Sequence, residues 1–266
     1  MSSRVSSMFP YSWPALRDVN ILTRLLFIYA FTAVKYIAAK NHVKRLQTLT
    51  RLPEMTSQPF HGPLDAMYSL VLAAALDPNE CIPEEICVTK RILSTIIAIR
   101  EPLRVSDLAR LLVVSPDDIW ENTDRIRAVV NVPRIGVDGV LSTFHASFVE
   151  FLTTSGHAPE NMRITLSSAH RDLAHVCLDI MNTSLHFNIA KCKTSYLFNS
   201  EQTLGTIPTP LKYASLHWAH HIEAADDSAS LLPLVMSSRA SSSGYIICVL
   251  IMPLLNDFRD VGCRKT

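Results

Sequence analysis

The stretch Leu141-Ser-Thr-Phe-His-Ala-Ser-Phe-Val-Glu-Phe-Leu152 changes from a β-like run into a helix at His145. Phe144, Phe148, Phe151 and Leu152 fall at i, i+4, i+7 and i+8. This spacing puts three aromatic rings and a leucine on one helix face and anchors that helix in a core. His145 falls on the first turn, where backbone N–H groups lack intrahelical partners and the helix dipole is positive, a natural site for an anion. A lone histidine at a helix start is more often a surface or capping residue, and spacing alone favours that plainer role.

Working upstream, the strand-like runs Val129 to Pro133 and Val140 to Phe144 flank Asp138-Gly139, a hairpin signal. Three helices precede them. The first, from Glu84 to about Ile99, carries Val88, Ile92, Ile96 and Ile99 inward. The second, Val105 to Leu112, buries Leu108, Leu111 and Leu112. The third, Pro116 to Val130, opens on Ser115 as N-cap with Pro116 at the first helical position and Asp118 completing the capping box, and keeps Ile119, Ile126 and Val130 inside. Three helices followed by a hairpin is the winged-helix arrangement, here spanning about 84 to 153.

A winged helix invites a test for DNA binding. The helix that would enter the major groove carries Asp117, Asp118, Glu121 and Asp124 against Arg125 and Arg127. Phosphate contacts need a positive surface, so this helix predicts no nucleic-acid partner and favours a packing role.

Further out, residues 1 to 14 read as a Ser-rich loop. A helix is expected from Ala15 to Lys40, with Leu22, Leu26, Tyr29, Ala33 and Ile37 on one stripe. Leu25, Phe27, Ile28, Phe31 and Val34 fill much of the rest, so it should be buried nearly all round. Val43 to Thr50 forms a shorter segment ended by Pro53, with Lys44, Arg45 and Arg51 as a solvated basic face. Pro63 opens a helix that Pro78 stops. Downstream, a helix from about Met162 to Met181 and another from Leu211 to Ala224 flank a loop of about 25 residues, which needs packed side chains of its own. Ser237 to Gly244 is a Ser-rich linker. Tyr245 to Leu255 is apolar and β-prone, an aggregation liability if exposed.

The chain has 266 residues, only 7 of them Gly, which favours helix. Charged residues make up 18% against 48% hydrophobic. That leaves little polar surface and implies that some apolar surface meets a protein partner. The net charge of +1 gives no general attraction to nucleic acid or acidic membrane. Six scattered cysteines without a C-x-x-C pair, and no apolar leader, point to free thiols in the cytoplasm. The apolar runs Leu25 to Val34 and Tyr245 to Leu255 fall short of the ~20 residues that span a bilayer.

No phosphate-binding glycine loop and no dinucleotide fingerprint occurs. His217, His220 and His221 are the densest metal-like group, yet no Glu lies between them in a metalloprotease pattern. A pair of surface imidazoles with a packed His221 is the reading taken, and no metal is assigned. His170, His175 and Cys177 share a helix at a spacing that does not converge. No catalytic constellation emerges.

Leu26-Phe-Ile-Tyr-Ala, Ile92-Leu-Ser-Thr-Ile with Arg100-Glu-Pro-Leu, the 142–152 stretch, His170-Arg-Asp-Leu-Ala-His-Val-Cys-Leu, Asn199-Ser-Glu-Gln, and Leu211-Lys-Tyr-Ala with Trp218-Ala-His-His follow one another along the chain. Together these motifs resemble fungal NACHT-type proteins of the STAND NTPase class. The resemblance covers about Trp13 to Leu234. It implies the end of a NACHT module, a winged helix and a following helical region. The Walker motifs would lie upstream of Met1, and a repeat array would normally follow. It also implies that His145 stands where relatives hold a histidine near the nucleotide phosphates, so ADP or ATP with Mg is expected only in a full-length relative and no cofactor in this chain.

The expected fold is mainly α: a helical bundle with a central winged-helix domain carrying one small β-hairpin, and a disordered or poorly defined C-terminal tail. The expected divisions are 1–82, the end of the NACHT-like module; 83–154, the winged helix with Phe144, Phe148, Phe151 and Leu152 in its core; 155–234, a helical region; and 235–266, linker and tail. The expected function is non-catalytic: a regulatory relay or packing module whose partner is a protein or the missing flanking domains. A residual nucleotide response through His145 and DNA binding are the alternatives.

Overall fold

The computed structural model describes residues 16–38, 41–51, 62–194, 196–197 and 199–226. The loop at 1–14, Pro53, the side chains of Leu22, Leu25 and Leu26, the Ser-rich linker, the 245–255 run and the expected 235–266 tail lie outside the described residues. Among those described the protein is mainly helical, with nine α-helices and one two-stranded antiparallel sheet. The helices are α1 (Leu16–Ala38), α2 (His42–Thr50), α3 (Pro63–Ala75), α4 (Pro83–Ala98), α5 (Val105–Leu112), α6 (Pro116–Asp124), α7 (Ala146–Thr153), α8 (Leu166–Ser184) and α9 (Thr209–Glu223). Strands β1 (Val130–Asn131) and β2 (Ser142–Thr143) lie between α6 and α7.

Most helix starts follow local chemistry. Pro63, Pro83 and Pro116 each sit in a first turn, where the missing N–H costs nothing. Ser115 and Asp118 form the complete reciprocal capping box expected for α6. Ser115→Ala removes the side-chain acceptor for the Asp118 N–H and is expected to cost about 0.5–2 kcal/mol, read from the urea midpoint at unchanged m-value. Helix α5 has no such residue at its N-cap, Arg104. Its cap comes from the hairpin loop: Asp138 accepts from the Ser106 N–H and Oγ–H at 3.0 Å each, and the Gly139 carbonyl accepts from the Val105 N–H.

That long-range cap accounts for a departure from expectation. A tight Asp138-Gly139 turn between five-residue strands is not formed. Each strand is two residues long, the turn falls at Arg134–Val137 with Gly136 at φ +80°, and Val140 pairs instead with Arg104. Gly139 is still required, because a Cβ there would lie 2.8 Å from the Pro133 ring. The third helix also ends early, at Asp124 rather than Val130. Tight turns at Ile126 and Val129 break the helical ladder, and Arg127 folds back onto Asp124 and the carbonyls of Val132 and Pro133. Ile126 and Val130 are buried nonetheless.

Helix α1 is not buried all round. Ile28, Thr32, Ala33 and Tyr36 face inward, while Phe27 and Val34 are 72% and 66% exposed, because α2 and α3 cover one side of it. Arg45, expected on a solvated face, donates to the Tyr36 carbonyl and lies 4.6 Å above the Tyr36 ring. The long segment between α8 and α9 is ordered by side chains of its own. Asn188 bonds both backbone groups of Cys192, and Gln202 ties together Lys193, Thr194 and Leu197.

One hydrophobic core runs from Ala33 and Tyr36 through α3, α4, α5 and α7 to α8 and α9, and so crosses the expected divisions at 82/83 and 154/155. Its aromatic centre is Tyr68 of α3 against Phe148 and Phe151 of α7, at ring distances of 5.1 and 5.4 Å. Leu152 is fully buried beside them. Phe144 is not in this centre. It precedes α7 and is half-buried, and its ring meets Phe31 of α1 edge-on at 4.9 Å, with Lys35 above both rings. The helical phase that would align Phe144 with Phe148 begins only at Ala146.

Candidate functional site

Two groups of polar side chains stand out against this apolar background. The first is His145, the N-cap of α7, in extended backbone with φ −151°. Its Nδ1 accepts from the Ser147 N–H at 3.1 Å and lies 2.7 Å from Ser147 Oγ, which in turn contacts Tyr68 Oη at 2.8 Å. An acceptor at Nδ1 puts the neutral ring's proton on Nε2. The Phe148 N–H is also taken, by the His145 carbonyl. The first-turn donors expected to receive an anion are thus largely engaged, and His145 has the structural role of a cap that is linked through Ser147 to the aromatic centre.

The second group lies where the C-terminal half of α9 packs on the N-terminal half of α8. His221 is fully buried. Its Nε2 is 2.8 Å from Tyr213 Oη, and its Nδ1 is 2.8 Å from His170 Nδ1. Tyr213 Oη also accepts from the Arg100 N–H at 3.2 Å. One direction satisfies every proton: Arg100 N–H to Tyr213 Oη, Tyr213 O–H to His221 Nε2, and His221 Nδ1–H to His170 Nδ1. The reverse would leave the buried Tyr213 hydroxyl proton without an acceptor. Both histidines are therefore neutral, with His170 protonated on Nε2.

The electrostatics agree with that assignment. Burial, reinforced by His170, His220, His217 and Arg100, pushes His221 down to about 3. Burial also lowers His170, with help from His220 and Arg100, and raises Tyr213 well above the ordinary phenol range. His217 sits 3.3 Å from Glu101 but is held below the usual imidazole value, chiefly by burial. Cys177 is fully buried, which pushes its thiol up to about 12 and makes it inert.

This arrangement does not suit a metal. A tetrahedral ion with Zn–N distances near 2.0–2.1 Å would hold two ligand nitrogens about 3.3 Å apart, whereas 2.8 Å is the length of a shared proton. Among the described residues no group of three or more His, Cys, Asp or Glu is placed to hold a metal. The sequence marks out His217, His220 and His221 by density, but it offers no sign that His170 is the partner of His221 or that Tyr213 links them to Arg100. The residues meet only because α8 and α9 run antiparallel. His175, on the same helix as His170, is exposed and apart from them.

No helix among the described residues is long and apolar enough to cross a membrane. No family model matches the chain, and neither a curated protein nor a solved structure matches it.

Proposed function

We propose that this chain is a non-catalytic regulatory module of the NACHT type, in which a winged helix made of α4, α5, α6 and the β1–β2 hairpin is a packing and relay element between flanking helices. The observation that carries the reading is the continuous core. Tyr68 of α3, before the unit, meets Phe148 edge-on and Phe151 at a tilt on α7, α7 packs on β2 of the hairpin, and α4 and α5 also pack on α8 and α9. A unit bonded on both sides transmits displacement more readily than it reads a separate ligand.

The charge distribution supports the same choice over DNA binding. Asp117, Asp118, Glu121 and Asp124 are exposed along α6. Its two following arginines are already engaged, Arg125 with Cys81 Sγ and the Glu80 carbonyl, Arg127 with Asp124 and two carbonyls. Four exposed carboxylates against these two arginines leave the face negative, which disfavours phosphate. Exposed Phe27, Val113, Ile135, Phe187 and Tyr196 supply the apolar surface a protein partner would cover. The expected result is that the native protein binds an exposed-hydrophobe dye and shows no salt-dependent retention of duplex DNA. A dye-silent monomer, or DNA retention that weakens with salt, would overturn the reading.

A second reading rests on one detail of His145: its Nε2–H has no protein acceptor among the described residues and is suited to a phosphate oxygen. Thermal unfolding with Mg²⁺ and ADP or ATP separates the two. The relay reading expects neither nucleotide to move the midpoint. His145→Ala alone is expected to lower it by about 2–4 °C, the equivalent of about 1 kcal/mol for a lost cap. A nucleotide-induced rise that His145→Ala abolishes would establish the second reading instead.

A further inference from the structure

The C-terminal half of α9 is fixed to α8 by a polar side chain. From Leu216 to Glu223 the one fully buried residue is His221, while Leu216, Trp218 and Ile222 are half-buried and Ala219 is exposed. Its further ties are slight: a small apolar cluster of Ala174, Ile222 and Ala225 apart from the main core, and an exposed bond that Ser167 Oγ donates to Asp226. A helix end held by apolar side chains is indifferent to pH, whereas one held by a buried imidazole is not.

The hydrogen-bonded chain from Arg100 through Tyr213 and His221 to His170 has a place for every proton of the neutral groups and for no more. A proton added to His170 turns its Nδ1 into a donor aimed at the His221 Nδ1–H, 2.8 Å away between the nitrogens. His221 can accept that bond only by moving its own proton to Nε2, and the buried Tyr213 hydroxyl then has no acceptor. A proton added to His221 itself has the same result. The groups facing the two rings do not offset a new cation: His220 of α9 and Arg100 act on His170, and His217 joins them around His221. Glu101, which is exposed, faces His217 at 3.3 Å. Asp107 and Arg110 of α5, which also packs on α9, face each other.

We propose that the C-terminal half of α9 is an acid-released latch: proton uptake by His170 and His221 frees residues 217–226 from α8 while the aromatic core of α3 and α7 stays closed. In the open form both rings meet water and each can take a proton, so acid favours opening. Opening uncovers Ala174, which is fully buried in the closed form.

Hydrogen exchange of the full chain, followed by mass spectrometry and corrected for the intrinsic rates of free amides, tests the latch. At about pH 5, amides 217–224 are expected to exchange at least about tenfold faster than amides 148–152, because they open locally. Their protection is expected to fall between about pH 7 and about pH 5, and to fall at least about threefold less in His170→Gln, which keeps an acceptor for His221 but takes up no proton. His175→Gln, at an exposed position of the same helix, should behave as the wild type. Exchange of 217–224 in step with 148–152 overturns the proposal, because the opening is then global. Protection of 217–224 that does not change with pH, or that falls as steeply in His170→Gln as in the wild type, overturns it as well.

Discussion

Lowering the pH from 6.5 towards 3 is expected to remove on the order of 4 kcal/mol of stability through His221 alone. The size follows from a pKa that falls from 6.5 in the unfolded chain to about 3 in the folded one, at about 1.4 kcal/mol per unit. The sign follows from proton counting. Above pH 6.5 neither state binds the proton and stability is at its full value. Between 6.5 and 3 the unfolded chain binds it and the native one does not, so stability declines steadily as the pH falls. Below 3 both are protonated and this loss is complete. Burial sets the native value first, and the groups that lower it further face His221 from two helices and one loop: His170 on α8, His220 and His217 on α9, and Arg100 after α4.

His221→Phe tests this without simply emptying the site. At neutral pH it leaves Tyr213 Oη and His170 Nδ1 without their partner and is expected to cost about 1–3 kcal/mol. In acid it has no proton to exclude. Its stability should therefore fall less steeply than that of the wild type, and the two curves should cross near about pH 5. Urea unfolding at a series of pH values measures both. Parallel curves would mean that His221 is not the buried neutral group described above.

Phe148→Ala and Phe151→Ala are each expected to cost about 3–5 kcal/mol, whereas Phe144→Ala should cost less than about 1.5 kcal/mol. The first two rings are fully buried against each other and Tyr68, so truncation leaves a cavity in close-packed surroundings. Phe144 is half-buried at the edge of α1, and neighbouring side chains and water can fill the space it leaves. Against a typical total of about 5–15 kcal/mol, the Phe151 variant would be marginal at room temperature. Equal losses at Phe144 and Phe151 in urea unfolding would place all three rings in one core after all.

How far the chain could be read in advance depended on whether a feature is set within a few residues. Val105–Leu112 carries its own apolar period, and Ser115-Pro-Asp-Asp its own cap, so those boundaries follow from sequence. Phe144 fell two residues before Ala146, where a helix fixed by the His145 cap begins, and a pattern of apolar spacings carries no signal for that offset. The shape of the hairpin depended on a distant partner. Asp138 has an ordinary turn residue's local preference, yet it caps α5 from more than thirty residues away and moves the turn to Arg134–Val137.

What the sequence determined by itself is the mainly helical class, the order of the helices, most of their starts, and the burial of Phe148, Phe151, Leu152 and His221. Each of these follows from local propensity or from one-face periodicity, interactions that operate within a turn or two. The tertiary structure alone decided which side of α1 is covered, where Phe144 goes, and that His170, His221, Tyr213 and Arg100 form one hydrogen-bonded chain. A buried polar group must find a partner wherever the packing brings one, and antiparallel packing of α8 on α9 joins residues 51 positions apart that no local rule connects.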